Sequence, residues 1–420
     1  MRVYLDHAAT SPIKPEVLGA MESYLKDKFG NASSIHRWGQ EARKAIDEAR
    51  EKIAKFFNCE PSEIIFTSGG TESDNLAILG VVDSFRDSSL AVTFHDAEGA
   101  HLARHKMREA QCMLKGQLRL QKPHLITSKI EHHAVLETCE YLEKQGLAEV
   151  TYIGVDKDGI VDPEDIKKAI KKNTILITIM YANNEVGTIQ PIREIGKIIK
   201  KENRKRENKI IFHADAVQAA GYLSCDVLKL HVHLMTIAGH KIGAPKGIGA
   251  LYIRKEIKII PRLHGGAQEY GLRPGTENVA GIVALGKAVE LISSNHNQVK
   301  KLRNKLAEGL LKIKDTKING DLNNSVPHIL NISFKGVEGE SILLSLDQEG
   351  IAASTGSACT SGSLDPSHVI MAMHNDPIRA HSSVRFSLGE KTTRAEIDYT
   401  IKKMKQIIKR LRSFSPTYKK

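Results

Sequence analysis

Aromatic side chains make up only 5% of this 420-residue sequence, with a single tryptophan. That scarcity leaves its basic stretches without the interleaved rings on which nucleic-acid bases stack. Cysteine is sparse as well: Cys59, Cys112, Cys139, Cys225 and Cys359 form no CxxC pair and are odd in number. A disulfide framework and a zinc ribbon are therefore both excluded. No apolar run is long enough to cross a bilayer, so no membrane association is expected. The opening stretch MRVYLDHAAT carries no basic, hydrophobic leader and no Arg/Ser-rich presequence, and a cytoplasmic address is the default expectation.

What is present points to a folded protein with more than one lobe. Hydrophobic residues form 41% of the chain, enough for buried cores, and the length suits a large domain with a smaller companion. The formal charge is +12, from 61 Lys and Arg against 49 Asp and Glu. Its clusters at 197–209, at 104–122 and in the tail from Lys402 read as solvated faces of helices or loops, with an attraction for phosphorylated cofactors and acidic partners.

From about residue 16 to 290, short β-rich runs alternate with amphipathic helical stretches: EIIFTS with GTESDNLAILGVV, HLITSKI with HAVLETCEYLEKQG, ILITIMYANN with PIREIGKIIKK. This alternation predicts an α/β domain with a mostly parallel sheet and helices on both faces, in which ligands bind at the carboxyl ends of the strands. After residue 290 the pattern changes to a charged helix at 298–314, a strand PHILNISF, a helix GESILLSLDQEG and a closing helix from Thr393, which reads as an α+β lobe. Residues 83–122 interrupt the alternation and are expected to form a surface insertion.

Several residues fall where the strands should end. In FTSGGTESDN, Gly69 and Gly70 permit a tight turn and Thr71 opens a helix whose free amides form an anion cup. Asp215 ends the run IIFHAD and, as a buried carboxylate, requires a cationic partner. Lys241 follows the apolar run HLMTIAGH and precedes a loop of small residues that lets a flat ligand approach. Explained together, a lysine for a Schiff base, a carboxylate for a pyridine nitrogen and an anion cup fit one cofactor, pyridoxal phosphate. His132, between a strand and a helix, is placed to lie against a ring, with capping or core packing as the plainer alternative. The pairs Glu131–His132–His133 and His101–His105 lack further metal ligands at suitable spacing, so no resident metal is expected. Cys359 lies in ASTGSACTSGSLDP, where no bulky residue anchors it, and is expected to be an exposed nucleophile whose thiolate is favoured by nearby cations. Arg385, taken to begin a short strand, has the planar fork that suits a substrate carboxylate, or serves an ordinary ion pair.

The stretches YLDHAAT, GNASSIH, FTSGGTESDNLAI, EHHAVL, NNEVGTIQPI, HADAVQ, GHKIGAPKGIGALYIR, RPGTENV, GSACTSGSLDPSHV and HSSVRFSLG resemble, in order and spacing, the cysteine desulfurases of the NifS/IscS class. The resemblance covers nearly the whole chain outside the 83–122 insertion. It implies the fold-type I, aspartate aminotransferase-like architecture: a large domain at 16–290 around a mostly parallel seven-stranded sheet, and a smaller α+β domain from 1–15 and 291–420 that carries the Cys359 loop. It implies a homodimer acting on L-cysteine. Lys241 would carry pyridoxal phosphate, Asp215 would contact its ring nitrogen, His132 would stack on its face, and Gln218 and Asn184 would bond the phenolic side. Gly70, Thr71, His240 and, from the second subunit, Thr276 would hold the phosphate, and Arg385 the substrate carboxylate. Cys359 would receive the sulfur as a persulfide and pass it to an iron–sulfur scaffold protein or a tRNA-thiolation relay, its only metal role being that of a transient iron–sulfur ligand shared with the scaffold. At Ala238 the chain departs from the family, which commonly has a hydroxyl residue bonding the phosphate there. The insertion, with LRPGTENV and KTTRAEID, is also similar to selenocysteine lyases. An ordinary aminotransferase and a non-enzymatic basic assembly protein are the remaining alternatives.

Overall fold

A computed structural model describes residues 1–91, 122–355, 365–416 and 418. Cys112, Cys359, the His101–His105 pair and all but the ends of the 83–122 insertion lie outside the described residues. The helix Gly70–Ala91 runs past residue 83, so the first part of the expected insertion continues that helix rather than leaving it.

Seven strands form the central sheet, in the order Ile64–Thr67, Gly249–Ile253, Leu234–Ala238, Ile211–Asp215, Thr174–Thr178, His124–Ser128 and Glu149–Ile153. Only Gly249–Ile253 runs against its neighbours, and the other pairings are parallel. Burial on both faces explains the near-continuous apolar strand sequences. Successive side chains enter opposite cores: Phe66, Ile177 and Met235 pack with Phe57 and Phe212 on one side, while Ile65, Leu176 and Leu234 pack with Leu76 and Val81 on the other.

The helices follow from their stripes and caps. Ile192, Ile195, Gly196 and Ile199 form the buried stripe of the helix Ile192–Asn203, leaving Arg193, Lys197, Lys200 and Lys201 exposed, as the solvated reading of that charge cluster requires. Gly196 is glycine because the Leu230 carbonyl oxygen would lie 2.3 Å from any Cβ. Thr393 caps the helix Arg394–Phe414 reciprocally: its amide donates to Glu396 Oε2 at 2.6 Å and its hydroxyl accepts from the Glu396 amide at 3.3 Å.

A third core forms around the antiparallel strands Ser383–Ser387, Ile329–Phe334 and Thr316–Asn319. Leu330, Ile332, Phe334, Val384 and Phe386 pack there beneath the helices Asn297–Leu311 and Arg394–Phe414, and Val3 and Leu5 join them from the N-terminus. Val3–Tyr4 also pairs in parallel with Ile351–Ala352. This threads the first residues past the carboxyl ends of the central strands, where the backbone of Ala8 and Ala9 becomes part of the site.

Candidate active site

Five of the parallel-running strands deliver polar residues to one edge of the sheet. After Thr67 comes the turn Ser68–Gly69 and the helix start at Gly70; after Ser128, His132; after Thr178, Asn184; at and after the end of Ile211–Asp215, Asp215 and Gln218; after Ala238, His240 and Lys241.

At the first strand end, Gly69 has φ +153, a backbone reserved for glycine. A Cβ on Gly70 would sit 2.9 Å from Val217 Cγ2 and 3.8 Å from Ala238 Cβ. Glycine at Gly70 therefore lets the helix start pack closely against Val217 and the end of the strand Leu234–Ala238. Thr71 is exposed, and Glu72, whose carboxylate accepts from the Ser68 amide at 2.7 Å and from Arg273 Nε at 3.0 Å, braces the turn. Ala238 is 2% exposed, packs beside Gly70 and carries no hydroxyl.

Asp215 is buried, and its Oδ1 accepts from the Val217 amide at 2.9 Å. The sequence reading required a cation beside it, yet among the described residues no Lys, Arg or His nitrogen comes within ion-pair distance. Burial pushes its carboxyl up to about 6, opposed by the Val217 amide and by the charge of Lys241. Lys241 instead donates to the carbonyl oxygens of Ala8 and Ala9, the latter at 2.9 Å, and Gln218 Nε2 donates to the same Ala8 oxygen at 2.9 Å. Asp215 and Lys241 are therefore not in direct contact, and the lysine acts on the carboxylate only through its charge.

His132 caps the helix His133–Lys144, its Nδ1 accepting from the Ala134 amide at 3.1 Å. Burial, then the charges of Lys241, His133 and His368, bring its imidazole down to about 4. Capping and proximity to Lys241 are thus properties of one residue, and the ring is neutral near pH 7. His240 is likewise held at about 4 by burial and by Lys241, Lys246 and His132, with Nδ1 3.3 Å from the Thr10 hydroxyl.

Arg385 lies in the middle of the strand Ser383–Ser387, not at its start. Its side chain is 3% exposed and ion-paired with Asp6 Oδ1 at 3.0 Å, while Nη1 donates to the Asn184 carbonyl at 2.8 Å. Its Nε is left without a partner among the described residues. Asn183 builds the turn that presents Asn184, its Oδ1 accepting from the amides of Glu185 and Val186. Thr276 is exposed on the loop before the helix Val279–Glu290.

Sequence reasoning missed three buried groups beneath these residues: Glu131, Asp74 and His213. His213 had a visible signal, lying two positions before Asp215 and so on the same strand face. Cys139 and Cys225 are buried, as small apolar residues would be, and Cys59 is partly so. No helix among the described residues is long and apolar enough to cross a membrane.

The chain matches the class-V aminotransferase family over residues 3–115 and 109–400. It is 50% identical to cysteine desulfurase IscS of Dictyoglomus turgidum over 99% of this chain and 96% of that protein. Its identity to cysteine desulfurase IscS of Methanosarcina thermophila is 48%, over 99% of this chain and 94% of that one. Among solved structures, a NifS-like protein superposes with a TM-score of 0.83 at 36% identity, covering 98% of this chain and 100% of the other. SspA in complex with cysteine gives 0.73 at 35%, covering 92% and 98%. Full-length identity of this order, on a fold of the same topology, settles the lineage: the chain belongs to the class-V aminotransferase family and, within it, to the cysteine desulfurases.

Proposed function

We propose that this chain converts L-cysteine to L-alanine with pyridoxal phosphate held on Lys241, and that Cys359 takes the sulfur as a persulfide. One observation supports the reading: a buried carboxylate, Asp215, lies within the field of Lys241, and both follow strands that end on the same edge of the sheet as the glycine turn and helix start at Gly70 and Thr71.

The residues fit the cofactor. Asp215 would supply the charge that a protonated ring nitrogen needs, and the amides at the start of the helix Gly70–Ala91 would take the phosphate, assisted by Thr71 and His240. The neutral imidazole of His132 would lie on the ring face, with Gln218 and Asn184 at its phenolic side. Ala238 would offer no bond to the phosphate. When bound, the cofactor supplies an aldehyde for the substrate amine and a ring that accepts an electron pair.

The protein's own groups then divide the work. Arg385, oriented by Asp6, binds the substrate carboxylate. The Lys241 amine takes the proton from the substrate α-carbon and returns a proton to the product. The Cys359 thiolate attacks the substrate sulfur. An S–S bond forms as the Cβ–S bond breaks, and the electron pair and a proton pass to the carbon that becomes the alanine methyl.

The division into a 16–290 cofactor lobe and a lobe from 1–15 with 291–420, a homodimer with Thr276 reaching the neighbouring phosphate, a scaffold or sulfur-relay acceptor and a cytoplasmic setting belong to the same proposal. Borohydride reduction of the cofactor-saturated protein followed by peptide mapping tests it. The reading requires a reduced pyridoxyl group on Lys241, and an unmodified Lys241 in such material overturns it.

A further inference from the structure

Behind Asp215 lies a second carboxyl that the proposed chemistry leaves without a task. Asp74 sits one turn after Gly70 on the helix Gly70–Ala91 and is 1% exposed. Its Oδ1 has no hydrogen-bond partner among the described residues and stands 3.6 Å from His213 Nε2. The Thr236 hydroxyl bonds the Asp74 side chain and lies 3.0 Å from the same His213 Nε2, while His213 Nδ1 is 2.8 Å from the Thr178 hydroxyl. Thr236 is also the residue paired with Asp215 across the two strands. Thr236 therefore links Asp74, which it bonds, to the strand position of Asp215.

An ionised carboxylate in this position would need donors at both oxygens, and one of them is bare. His213 offers no positive charge, because burial holds its imidazole down at about 3. The titratable groups around Asp74 are Asp215 and His213 on the strand Ile211–Asp215 and Glu131 from the turn before His133, while the charge of Lys241 reaches Asp215. Three carboxyls are thus buried in one neighbourhood, and ionising all three would set like charges against one another in a low-dielectric interior. Of the three, Asp215 is the one that Lys241 favours in its ionised form. For Asp74 burial comes first, then Asp215, and later Glu131, all raising its carboxyl well above the usual range against the Thr236 bond. Burial likewise pushes Glu131 up to about 8.

We propose that Asp74 is a positioning residue that stays protonated at neutral pH, so that Asp215 alone presents negative charge to the cofactor ring. This rests on the role given to Asp215 above. A neutral Asp74 keeps the Thr236 and His213 side chains in place behind Asp215 without competing with it for the ring's positive charge.

The test is the infrared difference spectrum between wild type and Asp74→Asn at pH 7, recorded on the full chain with cofactor bound and again after its removal. A protonated-acid carbonyl band present in wild type and lost in the variant is expected in both states. Loss of carboxylate bands instead would overturn the proposal. Should Asp74→Asn not fold, Asp74→Ala supplies the same difference. A second reading comes from the melting temperature of the cofactor-free chain. A folded-state acid with a raised pKa is destabilising once the unfolded side chain ionises, so Asp74→Asn should gain on wild type as pH rises from about 4. A variant that loses ground over that range would show an ionised Asp74. If the cofactor reading itself were wrong, Lys241 would remain unmodified after borohydride while the infrared band of the cofactor-free chain stayed.

Discussion

The buried Arg385 and the partly exposed Asp6 form an ion pair, 3.0 Å between Nη2 and Oδ1, that joins the strand Ser383–Ser387 to the N-terminal segment. The pair fixes the plane of the guanidinium, Nη1 is spent on the Asn184 carbonyl at 2.8 Å, and Nε is left over. Lysine at this position keeps the charge but not the fork. Arg385→Lys should raise KM for L-cysteine by about 10–100-fold, the loss of one or two charge-assisted bonds, with a smaller change in kcat. Steady-state kinetics check this, and an unchanged KM would remove Arg385 from substrate binding.

Asp215 gives cofactor affinity a pH dependence of known sign. With its carboxyl at about 6 in the cofactor-free chain, Asp215 is ionised at pH 7.5 and progressively neutral below 6. The Kd for pyridoxal phosphate should therefore rise as pH falls through that value, approaching about tenfold per pH unit. Asp215→Asn should lack this component and bind weakly throughout, while the titration of the ligand's own phosphate remains in both proteins. Equilibrium binding to cofactor-free protein between pH 5 and 8 makes the comparison, and identical profiles would contradict the assignment.

Ala238 is buried, its Cβ 3.8 Å from where a Cβ on Gly70 would sit, beside the start of the helix expected to hold the phosphate. Ala238→Ser should tighten cofactor binding by about 1 kcal/mol, the net worth of one hydrogen bond, or roughly fivefold in Kd. Dissociation measured by dialysis or competition checks the direction. Weaker binding would mean that the side chain does not face the phosphate.

The ion pair Arg50–Glu269 fastens the loop that carries Thr276. Arg50 Nη2 meets Glu269 Oε1 at 2.7 Å, both side chains are almost wholly buried, and Glu269 also accepts from the Phe66 amide at 2.8 Å. Glu269→Ala strands the guanidinium between the rings of Phe66 and Tyr270. A loss of about 3–5 kcal/mol is expected by chemical denaturation.

How far the sequence disclosed this site depended on chain locality. Lys241, Asp215 and Gly70 were legible because each follows its own strand, and a parallel sheet brings strand ends together. The partners chosen by Lys241 were not legible. Ala8 and Ala9 contribute backbone oxygens, which leave no mark in residue type, and they arrive through the pairing of Val3–Tyr4 with Ile351–Ala352, almost the full chain away. An ion pair was one of the two readings of Arg385, but its partner Asp6 was not legible, because it arrives from almost the full chain away. Asp74 was hidden differently: in GTESDN it reads as a polar residue of an exposed first turn, and only the depth at which the helix enters the sheet makes it buried.

The transfer of sulfur to Cys359 is tested most directly by mass spectrometry of the cofactor-loaded protein after one brief exposure to L-cysteine without an acceptor thiol. The account predicts one added sulfur atom on the peptide containing Cys359, matched by an equal amount of alanine, and neither product in Cys359→Ser despite its retained cofactor. Alanine formed in full by that variant, or sulfur appearing only on other cysteines, would contradict it.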